Sequence, residues 1–247
     1  MSPYYGRVLG ISSHAAVITG ATGNLGVAVL RAYLTRGTHV AAAVRDGDKG
    51  DALRATFADI AGDDGDPRLL VIHADPADAA SMDALVERVL RAWGRIDILN
   101  NLAGTFKGGS ALDTDLVREM WDSNVLTAVT AAAACLRPMR ARGYGRIVSV
   151  SAIGALKGSR NSAAYAMSKS ALVRWTESLA AEVKDEGITV NAVMPNAIDH
   201  PVNRAKMPKA DPRLWPSPEE VANVILFLSS PEASGVNGAA VPITART

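Results

Sequence analysis

The chain has one cysteine, almost no charge imbalance and no long apolar run, and each shortage removes a class of protein. A lone Cys135 in 247 residues excludes an internal disulfide framework and a cysteine-rich zinc site. It stands in an alanine-rich helical run and reads as small buried filler. A net charge of +1, from 26 Lys and Arg against 25 Asp and Glu, leaves no basic excess for a phosphate backbone, which argues against nucleic acid as the main partner. His14, His39 and His73 stand apart from any second ligand at metal spacing, and no metal is expected. No segment is apolar enough to span a bilayer, and the opening MSPYYGRVLGISSH lacks the basic start and long apolar region of an export signal. A soluble cytoplasmic protein is the expectation, with no membrane partner. Internal repeats and low-complexity linkers are missing too. Residues 1–247 therefore read as one domain, with an N-terminal extension over 1–13 and a substrate loop or lid over about 196–216.

What is present is alternation. The runs AAVITG, THVAAAV, RLLVIHA, RIDILNNLA, GRIVSVS, GITVNAVMP and AAVPIT are brief, rich in β-branched residues and bounded by glycine, proline or polar residues. They read as seven strands. Between them lie segments with apolar residues three and four apart, among them Ser81 to Trp93, Thr114 to Arg142 and Ser162 to Glu186, which read as helices. Strands apolar on both faces, each followed by a helix, predict an α/β fold: a Rossmann-type, doubly wound parallel sheet of about seven strands with helices on both faces.

The first chemical motif is TGATGNLG, Thr19 to Gly26, where the first strand meets the first helix. Glycines permit a tight turn and close approach of a pyrophosphate, whose charge faces the amides opening the helix. A glycine-rich turn of this kind is weak evidence alone and stronger directly after a strand. Further landmarks follow in order: Asp75 after the third strand, NLAG at Asn101 to Gly104, Asn124 in WDSNV, Tyr165 four residues before Lys169, and Pro195 after the sixth strand. With these, the chain from about His14 onward resembles the short-chain dehydrogenase/reductase family.

The resemblance implies an oxidoreductase in which Tyr165 exchanges a proton with substrate, Lys169 holds the nicotinamide ribose, and Asn124 supports a water-linked relay. Residues four apart on a helix face one cleft, and an ammonium beside a phenol favours the phenolate, so Lys169 is expected to lower the Tyr165 pKa. The implied cofactor contacts are Gly20, Thr22, Gly23, Asn24, Leu25 and Gly26 around the pyrophosphate, Asp75 near the adenine, and Asn101, Ala103 and Gly104 along the cleft. Tyr165, Lys169, Pro195, Ile198 and His200 complete the set toward the nicotinamide. Asp75 has an alternative reading as the cap of the following helix.

Departures from the family pattern narrow the chemistry. Ala152 stands thirteen residues before Tyr165, where the family has a serine that steadies a carbonyl oxygen. Ser151 is its neighbour, but consecutive strand residues face opposite ways, so it substitutes only if the strand end kinks. Asn24 replaces a glycine of the phosphate loop, Leu102 an asparagine, and Asn196 and His200 a glycine and a threonine. The segment PNAIDHPVNRAKMPKADPRLW looks like that of the dihydropteridine reductase branch, through Pro195, Asp199, Pro201, Asn203, Arg204, Met207, Pro208, Ala210, Asp211 and Trp215. That branch also carries alanine at the position of Ala152, and a conjugated pterin has less need of a carbonyl-polarising hydroxyl.

Cofactor choice turns on VAAAVRD, the end of the second strand. An acid about 20 residues after the glycines binds the ribose diol, and an arginine accommodates a 2′-phosphate. Arg45 there favours NADP over NAD, with Asp46 as the competing diol ligand. The small-faced helix from Thr127 to Ala134 suits packing against a second copy, and the family resemblance implies a homodimer or homotetramer. The sequence thus predicts NAD(P)(H)-dependent hydride transfer to a small carbonyl or conjugated substrate through a Tyr-Lys pair lacking the usual serine. The alternatives are reduction of a quinonoid dihydropterin and, from another class, a catalytically silent cofactor-binding scaffold or sensor.

Overall fold

The computed structural model describes residues 9–63 and 66–246. Seven strands form one parallel sheet: β1 (Ala15–Thr19), β2 (His39–Val44), β5 (Leu69–His73), β6 (Ile98–Asn101), β7 (Gly145–Val150), β8 (Ile188–Pro195) and β9 (Ala240–Ile243). Their spatial order is β5-β2-β1-β6-β7-β8-β9. The chain winds outward from β1 in one direction and then from β6 in the other, so a crevice opens at the carboxyl ends of β1 and β6. Two-residue strands β3 (Gly62–Asp63) and β4 (Asp66–Pro67) make a separate antiparallel pair.

Every residue of β1 and β8 is buried, as expected for strands covered on both faces. One face packs against α1 (Asn24–Leu34), α2 (Gly47–Thr56) and α8 (Pro218–Leu228), through Leu30, Leu53, Phe57, Val221 and Ile225. The other packs against α3 (Ala79–Trp93), α5 (Thr127–Arg142) and α6 (Ala163–Val183), through Met82, Leu85, Cys135 and Val183. Cys135 is fully buried there, as its alanine-rich setting implied.

Three expectations change. The extension expected over 1–13 lies outside the described residues as far as Val8; beyond it the chain has joined the core, with Ile11 buried and its carbonyl accepting from Thr38 Oγ1 at 3.0 Å. The single helix read over Thr114 to Arg142 is interrupted: α4 (Thr114–Trp121) passes through a π-helical turn, Asp122–Leu126, before α5 begins. Periodicity does not register one extra residue in a turn, and π-turns gather at functional positions. Finally, Ala128, Ala131, Ala132 and Ala134 are buried against the chain's own sheet. Part of the small face of α5 thus serves close helix-on-sheet packing, while Ala133 stays exposed on its outer side.

Candidate active site

The carboxyl ends of the strands bring the landmarks together. Thr19 of β1, Asn101 of β6 and Ser149 of β7 lie in one register row. Asn101 Nδ2 donates to Ser149 Oγ at 3.2 Å, and Ala103 N donates to Thr19 Oγ1 at 3.2 Å. The row fastens the segment after β6 over the β1–α1 turn. Gly20 and Gly26 are demanded by this closeness: a Cβ on Gly20 would stand 2.7 Å from Ala103 N, and one on Gly26 2.4 Å from Gly20 O. Gly20 also has φ +66, a conformation that favours glycine. Gly23 is the N-cap of α1 and offers no side-chain acceptor, and no acid stands in the first turn. The amides of Asn24, Leu25 and Gly26 therefore open toward the crevice, next to Thr22, with positive helix-dipole potential behind them.

The π-turn carries Asn124, which is buried and spent on position rather than solvent. Its Oδ1 accepts from Thr105 N at 2.9 Å, and its Nδ2 donates to Thr105 O at 3.1 Å and Ser168 Oγ at 3.0 Å. Ser168 in turn donates to Tyr165 O at 2.8 Å. Ser168 was missed by sequence reasoning; its position three residues after Tyr165 is the only signal. Gly104 lies in the same corner, where a Cβ would meet Asn124 Oδ1 at 2.5 Å and Lys169 Nζ at 3.3 Å. Asn124, Gly104, Tyr165 and Lys169, far apart in sequence, thus share one pocket corner.

Lys169 is 5% exposed and donates to Val150 O at 2.8 Å; its Nζ lies 5.9 Å from the centre of the Tyr165 ring. No acid pairs with it among the described residues, so burial pushes its ammonium down to about 8. Burial pushes the Tyr165 phenol the other way, up to about 12. The expectation that Lys169 lowers the Tyr165 pKa is therefore not met in the chain alone. The ammonium stands off the ring, and desolvation of the phenolate outweighs it. Tyr165 packs edge-on against Phe106, with ring centres 5.0 Å apart and planes at 80°, a contact that sequence patterns gave no means to foresee.

Ser151 does not take the place of the missing serine. It is 2% exposed and its hydroxyl donates to Lys169 O at 2.8 Å, which ties β7 to α6. Ala152 follows in extended conformation and begins a short 3-10 turn, Ile153–Ala155. Pro195, the last residue of β8, is buried, and beyond it Ile198 packs on the core while its carbonyl accepts from Asn203 Nδ2 at 2.8 Å. His200 behaves otherwise than expected. Its Nδ1 accepts from Val202 N at 3.2 Å, capping α7 (Pro201–Lys206), and it lines a groove of about 370 Å³ with Asn24, Val27, Arg31 and Ala222. Arg204 is neutralised locally by Asp199 at 2.6 Å and Arg213 by Asp211 at 2.8 Å.

At the β2 end Arg45 is exposed, and Asp46 accepts from Lys49 N at 3.2 Å as the N-cap of α2. After β5, Asp75 Oδ1 accepts from Ala77 N at 3.0 Å, while Asp78, not Asp75, caps α3 through Ala80 N and Ser81 N. No group of three His, Cys, Asp or Glu side chains among the described residues converges as a metal site requires.

A family profile described as short chain dehydrogenase matches residues 14–211. The chain belongs to the short-chain dehydrogenase family. It is 35% identical over 245 residues to the cis-4-hydroxycyclohexanecarboxylate dehydrogenase of Sinomonas cyclohexanicum, covering 94% of this chain and 95% of that one. It is 28% identical over 238 residues to the Escherichia coli 3-oxoacyl-(acyl-carrier-protein) reductase FabG, covering 90% and 92%. The crystal structure of levodione reductase superposes with a TM-score of 0.84 at 26% identity over 94% of this chain and 96% of that one. This family member is therefore an NAD(P)-dependent oxidoreductase. Its residues fit the dinucleotide: the uncapped start of α1, the close glycine contacts at Gly20 and Gly26, and the buried Asn101 Oδ1, which has no partner among the described residues. No helix among the described residues is long and apolar enough to cross a membrane.

Proposed function

We propose that this short-chain dehydrogenase is a cytoplasmic NADP(H)-dependent enzyme that interconverts a small carbonyl compound and its alcohol, with Tyr165 moving the proton. The observation that carries the reading is the shared corner of Tyr165, Lys169 and Asn124, with a buried ammonium that lacks an acid. Bound in the crevice, a nicotinamide supplies or accepts hydride. Tyr165 holds the proton at Oη, Lys169 supplies a donor toward the cleft beyond its bond to Val150 O, and Asn124 fixes the Thr105 backbone and the start of α6. The names of the relatives speak of a hydroxy acid, an oxoacyl chain and levodione, which supports carbonyl chemistry. NADP is favoured because Asp46, the competing diol ligand, is committed to capping α2, whereas Arg45 stands exposed. A homodimer or homotetramer is the expected assembly, and light scattering reads it directly.

A second reading, reduction of a quinonoid dihydropterin, is favoured by Ala152 together with the lid segment Pro195 to Trp215. The deciding experiment presents purified protein and NADPH with a ketone panel, a reactive diketone and quinonoid dihydropterin, and follows nicotinamide absorbance. Oxidation by ketones supports the first reading and by the pterin alone the second. Tight NADPH binding with no oxidation by any acceptor would replace both with a silent cofactor-binding protein.

A further inference from the structure

Between the loop after β6 and the loop before α6, the surface opens into a hollow of about 760 Å³ lined by Gly108, Gly109, Ser110, Ser159, Arg160 and Ala163. Two loops build it. The loop after β6 is clipped to the loop before α6 by Gly109 N donating to Asn161 O at 3.0 Å. Asn161 has φ 60, a left-handed conformation that asparagine tolerates better than most residues. The opposing loop approaches closely, since a Cβ on Gly108 would stand 3.0 Å from Asn161 O. Two features set the hollow near Tyr165: Ala163 on its wall lies two residues before Tyr165 in α6, and a Cβ on Gly108 would stand 3.7 Å from the Phe106 ring, which meets Tyr165 edge-on.

Its chemistry is lopsided. Arg160 has no acid within ion-pair reach among the described residues, whereas Lys107 on the facing loop is held by Glu119 at 2.6 Å and Asp113 is committed to capping α4 through Leu116 N. Small backbone-rich walls, serine hydroxyls and one unneutralised guanidinium suit an anionic group, and guanidinium meets a carboxylate through two parallel bonds. Between this hollow and Tyr165 stands Phe106, 54% exposed, which presents an apolar ring to the middle of a bound molecule.

We infer that the substrate is a carbonyl compound with a short apolar body and a terminal carboxylate, the carboxylate held by Arg160 in this hollow and the body lying along Phe106. The inference rests on the carbonyl-reductase reading and assigns Arg160 and Phe106 as specificity residues. Its test compares pairs of linear and cyclic oxo acids with their amides, for the wild type, Arg160→Gln and Arg160→Lys, with NADPH as reductant. The expected result is a wild-type kcat/KM preference of tenfold or more for the acid. Arg160→Gln should abolish the preference through KM, and Arg160→Lys should partly keep it. Equal use of acid and amide by the wild type, or a preference untouched by Arg160→Gln, would overturn the subsite while leaving the reductase reading intact. Failure of every pair, acids and amides alike, with NADPH bound, would remove the reductase reading and this inference with it.

Discussion

The two ends of the sheet bury charge in opposite ways. At the amino-terminal edge Asp97 is fully buried and fully answered: Arg95 grips it through two bonds of 2.6 and 2.8 Å, Ala15 N donates at 2.8 Å, and Arg142 approaches at 3.8 Å. The Asp97 carboxylate holds the Arg95 guanidinium above its ordinary value, while burial holds His14, beside Tyr144, below its own. At the carboxyl-terminal edge Lys169 is nearly as buried and has a backbone carbonyl where an acid would stand. A buried charge that is paired and bonded on all sides holds strands in place. A buried charge left without its counter-ion is costly, and such groups gather at functional sites.

The comparison breaks most readily at Tyr165. Tyr165→Phe should fold normally and lose turnover by about 100-fold or more, the usual scale for removing a positioned acid-base group. Steady-state kinetics beside a thermal melt would check it, and full retained rate would remove Tyr165 from the chemistry. Asp97→Asn should do the reverse. It leaves two part-exposed arginines around a neutral group and should cost about 1.5–3 kcal/mol of stability, read by denaturant titration, with kcat unchanged in whatever fraction stays folded.

A third prediction separates the ends by pH. The folded Lys169 pKa, about 8, lies below its unfolded value, so the unfolded chain binds more protons between the two and stability should rise as pH climbs from about 8 toward 10.4. Tyr165, raised to about 12, acts oppositely, and its contribution is lost as pH rises from about 10 through 12. Lys169→Met should flatten the first rise, which pH-resolved denaturation would reveal; an unchanged rise would show that Lys169 is not its source. The smallest effect concerns an exposed charge. Arg45→Asp should leave stability within about 0.5 kcal/mol and shift the NADPH-to-NADH preference by about tenfold toward NADH, measured by cofactor titration.

The strands, the sheet's parallel character and the glycine-rich turn into α1 were legible because each follows from local pattern: β-branched runs, glycines at a strand end, helical spacing between. Tyr165 and Lys169 were legible for the same reason, being one helical turn apart. Phe106, Ser168 and the hollow at Arg160 were not, since they depend on which loops meet across the crevice. The helix through Asn124 shows the limit well, because its pattern continues unbroken from Thr114 to Arg142 while the backbone inserts a π-turn at the residue that bonds Thr105 and Ser168.

The sequence alone determined the alternation of elements, the glycines that let a dinucleotide approach and the absence of a hydroxyl at Ala152, because these are properties of single residues and their spacing. Only the tertiary structure decided the electrostatic setting of Tyr165 and Lys169. Whether Lys169 lowers the Tyr165 pKa depends on distance and desolvation, and packing placed the ammonium 5.9 Å from the ring centre and buried both groups. It also decided that Ser151, just past the end of β7, would be drawn to the backbone of α6, because its amide stays bonded to Val193 O on β8 and its hydroxyl meets Lys169 O.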